Sequence, residues 1–138
     1  MINNITKTLL VATLLLCMGS CDKMEDNGDF AGLWYLSEWK SLPDGEIKAD
    51  KYNRIFYAVQ LDLMNFRNDY DSYLSRFRRT ADSLFIGTVY HGSKDEIVDI
   101  EVLAPFGVPA DGKFAIEKLT KQTLVLRSNE AVLTFRKY

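Results

Sequence analysis

Cys21 is the residue whose neighbours most clearly specify a chemistry. It closes the stretch Met18-Gly19-Ser20-Cys21, and cleavage of lipid-modified precursors needs small residues at the two positions before the cysteine. The predicted chemistry is lipidation of the Cys21 thiol and cleavage between Ser20 and Cys21. Cys17 follows Leu16, which is too bulky for that site, so Cys21 is the acceptor. Lys7 and the apolar run Leu9–Leu16 stand upstream, in the order of an export signal. The run is shorter than the ~20 residues that a membrane-crossing helix needs.

Other reactive residue types are present without the partners that would activate them. Nucleophilic catalysis needs a Ser, Cys or Lys beside a base, and the single histidine, His91, stands in a Gly/Ser/Lys/Asp turn where solvent is its natural partner. No Gly-x-Ser-x-Gly, phosphate-binding or dinucleotide-binding glycine pattern occurs. The carboxylate pairs Asp95/Glu96 and Asp99/Glu101 fall in or beside expected surface positions, with nothing to raise a pKa for glycoside chemistry. No Asp/Asn/Gly loop of the calcium-binding type appears. The reading is therefore not an enzyme, with no catalytic residue, no metal site and no cofactor. Arg76-Phe77-Arg78-Arg79 could hold an anion, but it reads as a solvated strand face with Phe77 turned inward.

Composition narrows the class further. Loss of residues 1–20 leaves 118 of the 138 residues, one domain's worth. It removes one cation, so 16 basic residues face 19 acidic ones, about −3 and no footprint for nucleic acid. Both cysteines lie in the N-terminal segment, so the domain stands without disulfides. Residues 21–29, lipidated Cys21 and then Asp22-Lys23-Met24-Glu25-Asp26-Asn27-Gly28-Asp29, are too polar to bury and form an acidic tether. All 17 aromatic residues come after the signal, which suits β-structure.

The elements that must position these residues are short β-prone runs between turn signals. They are Leu33–Lys40, Ile55–Phe66, Tyr73–Arg79, Leu84–Tyr90, Ile97–Leu103, Phe114–Leu119, Thr123–Ser128 and Ala131–Tyr138. Gly87 marks an expected bulge or bend. In Ile97–Leu103, Val98, Ile100 and Val102 alternate with Asp99 and Glu101 as a strand would. The stretch 69–82 is read as a strand, although Tyr70, Tyr73, Leu74 and Phe77 also fit a helical stripe. The last three runs predict an antiparallel meander. The fold class is all-β: a small eight-stranded up-and-down antiparallel barrel.

Gly32-Leu33-Trp34 opens the first run and resembles the Gly-x-Trp of lipocalins. The segments Phe114–Leu119, Thr123–Ser128 and Leu133–Tyr138 are similar to the C-terminal half of the lipocalin-like lipoproteins of Bacteroidota. The resemblance covers most of residues 30–138 and implies a lipocalin-like barrel. It also implies an Arg of the last strand closing one end against Trp34. Arg136 is the candidate, yet strand alternation sets it opposite Leu133 and Phe135. In that group, acidic residues after the lipidated cysteine resemble a signal for display on the outer face of the outer membrane. Elsewhere, Asp after the cysteine retains a lipoprotein in the inner membrane, and a periplasm-facing position is the alternative.

Two functions of different kinds remain. In one, Trp34, Tyr57, Phe85, Phe114 and Phe135 line a lumen that binds a small apolar or amphipathic ligand. In the other, those side chains fill the barrel, and loops such as Ala104–Gly112 meet an envelope protein partner.

Overall fold

The computed structural model describes residues 27–48, 54–91 and 96–138. After a 3-10 turn at Gly28–Phe30 come the strands β1 (Gly32–Ser41), β2 (Ile47–Lys48), β3 (Phe56–Gln60), β4 (Leu63–Arg67) and β5 (Ser72–Arg79). Then follow β6 (Ser83–His91), β7 (Glu96–Val98), a 3-10 segment at Ile100–Phe106, β8 (Lys113–Leu119), β9 (Thr123–Arg127) and β10 (Ala131–Lys137).

Eight of these strands form a closed ring in the order β1-β3-β4-β5-β6-β8-β9-β10, and β10 pairs back onto β1. Every pairing is antiparallel. Closure leaves no free edge in the wall. The short β2 and β7 are side ribbons, on β1 and β6 respectively. The expected C-terminal meander is β8-β9-β10. The stretch 69–82 holds strand β5, so the helical stripe is not used.

Closing so small a sheet requires sharp local twist, and three bulges supply it. Ser37 is the extra residue in β1, Gly87 and Thr88 oppose Arg76 between β6 and β5, and Glu117 is the extra residue in β8. Each bulge shifts the inward parity by one. The core-packed residues therefore run Trp34, Leu36, Trp39 in β1, Leu84, Ile86, Val89 in β6 and Phe114, Ile116, Leu119 in β8, the same step of two then three each time. A Cβ on Gly87 would lie 3.2 Å from the Arg76 carbonyl oxygen, so this bulge is tight as well as bent.

Two expected runs are corrected. Ile55–Phe66 is a hairpin, not one strand: β3 and β4 pair across a two-residue turn at Leu61-Asp62. Tyr57 and Val59 are buried before the turn and Met64 and Phe66 after it, whereas Leu61, within the apolar alternation of this run, is exposed at the tip. Of Ile97–Leu103 only Ile97 and Val98 are strand, as the end of β7. Asp99 caps the 3-10 segment by accepting from the Glu101 backbone N–H at 2.9 Å. Val98, Ile100 and Val102 still pack on the core, because the turn brings them inward where an alternating strand would have done the same. The number of barrel strands is eight because one run splits into two while another leaves the ring.

Candidate functional site

The two ends of the barrel differ. At one end the 3-10 segment and the residues after it enter the mouth. Leu103, Phe106 and Val108 are buried there, and a Cβ on Gly107 would meet Leu133 Cδ1 at 2.8 Å. Gly107 also has φ +89°, so a side chain is excluded by both space and backbone. Gly112, at φ +65°, ends the segment, and its carbonyl accepts from the Ile86 N–H at 2.8 Å. The connection is a plug: within Ala104–Gly112, Phe106 and Val108 supply core, while Ala104, Pro105, Ala110 and Asp111 stay exposed.

Tyr57 holds the plug from inside. Its hydroxyl donates to the Phe106 carbonyl at 2.6 Å, where both groups are buried. Its ring packs edge-on against Phe66 and tilted against Phe135, each with centroids 4.6 Å apart. Phe106 in turn meets Phe66 and Tyr73 edge-on. Burial pushes the Tyr57 phenol well above its ordinary pKa, so it remains a donor.

The other end carries the N-terminal 3-10 turn and the last residues of β10. Trp34 is fully buried, and its indole N–H donates to the Phe30 carbonyl at 2.8 Å. The ammonium of Lys137 sits 4.5 Å from the Trp34 ring centre and donates to the carbonyls of Asp29 at 2.8 Å and Ala31 at 2.6 Å. The latch expected from Arg136 is thus made by its neighbour. Lys137 stands opposite Trp34 in the β1–β10 ladder and shares the inward parity of Leu133 and Phe135, whereas Arg136 points out. Arg79 reinforces this end, 5.2 Å from the Phe30 ring centre and donating to the Asn27 carbonyl.

Of the five aromatic residues named from the sequence, Trp34, Tyr57, Phe114 and Phe135 are buried inside the barrel. Phe85 is not. It alternates with the inward Leu84 and Ile86, and the Arg78 guanidinium covers it 4.9 Å from the ring centre. Sequence reasoning missed Phe30, Phe66 and Phe106 as interior residues; Phe30 directly follows the residues read as tether, and Phe106 lies in a stretch read as loop. Among the described residues one buried side-chain polar atom, the Ser75 hydroxyl in β5, has no partner.

Phe77 turns inward as expected, edge-on to Phe30, while Arg76 pairs with Asp62 at 2.8 Å. His91 ends β6 with its ring against Tyr73. Asp99 and Glu101 do not face each other across a cleft; they meet through the cap already described. Among the described residues no group of three or more His, Cys, Asp or Glu could hold a metal ion, and no helix is long and apolar enough to cross a membrane. Ser20, Cys21 and the Asp95 partner of Glu96 lie outside the described residues.

A barrel latched through Trp34 and closed by the last strand is the arrangement against which known proteins can be compared. The profile of the lipocalin-like domain family matches residues 14–138. The chain belongs to that family. This lipocalin-like domain shares its fold with a lipocalin-like protein from Bacteroides uniformis, at TM-score 0.57 and 20% identity over 80% of this chain and 99% of that one. An uncharacterized protein from Bacteroides eggerthii gives TM-score 0.53 and 22% identity over 78% and 98% of the two chains. A Burkholderia xenovorans protein solved by NMR gives 0.55 and 19% over 78% and 81%. At these identities the likeness is one of fold. No curated protein matches the lipocalin-like domain.

Proposed function

We propose that this lipocalin-like domain is a non-enzymatic interaction module of the bacterial envelope, carried on a lipid at Cys21 and filled by its own side chains. The observation that carries the reading is the Tyr57–Phe106 hydrogen bond, buried on both sides within the aromatic core. An eight-stranded barrel has room for side chains or for one small ligand, and here a plug residue is tied by its backbone to the far wall. A ligand at that position must break the bond and leave two polar groups unpaired, which costs about 1–3 kcal/mol per group.

Native mass spectrometry of the chain from residue 21 with Cys21→Ser tests the filled barrel. The expected spectrum shows no bound molecule of a single constant mass after incubation with cell lipid extract; a retained apolar molecule of constant mass overturns it. Detergent-phase partitioning tests the anchor. Wild type expressed in a Gram-negative host should enter the detergent phase, and Cys21→Ser should remain aqueous. The proposed location is the outer face of the outer membrane, by the acidic residues Asp22, Glu25 and Asp26 after the cysteine. Protease shaving of intact cells should then remove the protein.

One observation favours a second reading, as a carrier of a small amphipathic ligand. The Ser75 hydroxyl is buried inside the barrel wall without a partner and offers one hydrogen bond to a guest. In that case Ser75→Ala should lower the retention of bound molecules.

A further inference from the structure

The turns at the end where the chain enters differ in charge from those at the other end. Lys118, Lys121, Arg136 and Lys137 gather there with Arg79, through the β8–β9 turn, the end of β10 and the end of β5. Lys121, Arg136 and Lys137, with Gln122 and Thr123, line a depression of about 620 Å³ that is open to solvent. Among the described residues neither Lys121 nor Arg136 has an ion-pair partner. Among the described residues the carboxylates at this end are Asp29, Asp62, Asp82 and Glu117; Asp62 is held by Arg76 and Glu117 by Arg127. The opposite turns carry Asp44, Glu46, Asp69, Asp71 and Glu130.

A second feature of the same end breaks a local rule. Leu61 occupies the tip of the β3–β4 hairpin with φ +55°, a conformation that suits Gly or Asn and strains Leu. The side chain gains no packing in return, since Leu61 is 70% exposed. The tip is tied to the chain's entry point, where the Asn27 side-chain amide donates to the Leu61 carbonyl. A strained, exposed leucine on the same barrel end as cations that lack an ion-pair partner among the described residues is what an interfacial surface presents to a bilayer, apolar atoms for the headgroup boundary and ammonium or guanidinium groups for phosphates.

We propose that this end of the barrel is a membrane-contact surface, with Lys121 and Arg136 taking the phosphates of anionic lipids and Leu61 entering the headgroup layer. The proposal rests on the lipid anchor for its orientation and not for its chemistry. From Cys21 to Asn27 the chain extends at most about 21 Å, so an anchored domain can bring this end to the bilayer surface. Asp22, Glu25 and Asp26 directly precede Asn27 in sequence, and their charge opposes the attraction.

The test uses the unlipidated chain from residue 21 with Cys21→Ser, pelleted with vesicles of phosphatidylcholine alone or mixed with phosphatidylglycerol. Binding is expected on the anionic vesicles and should be lost in high salt. Lys121→Glu with Arg136→Glu should weaken it at least about tenfold. Leu61→Asn should weaken it several-fold while leaving the domain as stable or more so, which separates contact from folding. Lys48→Glu with Lys113→Glu, at the far end, should change it little, and neutralising Asp22, Glu25 and Asp26 should strengthen it. Equal binding to both vesicle types, or none, overturns the proposal. Saturation by inorganic phosphate without vesicle binding overturns it in favour of a free-anion site. Failure of Cys21 lipidation in the partitioning experiment would leave these vesicle results standing, so the two readings fail separately.

Discussion

Lys137 shows how one position of strand parity decides a role. Its ammonium lies over Trp34 and bonds two carbonyls of the entering chain, while Arg136 beside it faces solvent. Lys137→Met should therefore cost about 1–2 kcal/mol, from a lost cation–π contact and two charge-assisted hydrogen bonds. Arg136→Met should be close to neutral, and urea midpoints of the two variants check the contrast. Tyr57 offers a pH signature. Its folded-state pKa lies above the ordinary phenol value of about 10, so the unfolded chain gives up this proton first. Its contribution is fully present below about pH 10 and is lost as pH climbs toward the folded-state value. Tyr57→Phe should be less stable than wild type at pH 8 by about 1–3 kcal/mol, through the orphaned Phe106 carbonyl, and the gap should narrow above the phenol range. Ser75→Ala removes a buried hydroxyl that no atom of the described residues satisfies. It should leave stability unchanged or raise it by about 1 kcal/mol, read from the same denaturation curves.

At the scale of elements, the plug is the piece whose loss should show most. Phe106→Ala removes a fully buried ring and should cost about 3–5 kcal/mol, with the opened mouth reported by dye binding to exposed apolar surface. This element was poorly legible in the sequence. Ile97–Leu103 alternates like a strand, and Asp99 as a cap and Pro105 within the segment were the only signs of a helical turn. The β3–β4 hairpin was hidden for a different reason. Its tip carries Leu61 where a turn residue would announce itself, so apolar alternation runs unbroken through a reversal of the chain. What could be read was the part governed by burial alone: the meander β8-β9-β10, the inward Trp34, Tyr57, Phe114 and Phe135, and the bulge at Gly87. The latch was legible too, since Lys137 has the parity of Phe135 and only the resemblance to an Arg drew attention to Arg136. The step of two then three in β1, β6 and β8 is also written in the sequence, but without the ring closure there is no reason to look for it.

For the molecule as a whole, the entering chain, the cation-rich turns and the latch share one end, and the acidic turns and plug share the other. A domain displayed this way shows its acidic, plugged end outward, so cross-linking from an externally added amine-reactive reagent should favour Lys48 and Lys113 over Lys121. If Lys121 reacts as readily, the orientation is wrong. The ring is also completed by its latest piece. β1 pairs with β3 on one edge, and its other edge waits for β10, the last strand of the chain, whose penultimate residue grips Asp29 and Ala31. A chain that emerges N-terminus first thus carries an unpaired edge of β1 until β10 arrives. The first strand made is the last one sheltered, which places the hazard of misassociation in the interval before β10 pairs and makes loss of even Lys137 and Tyr138 a defect of assembly as much as of stability.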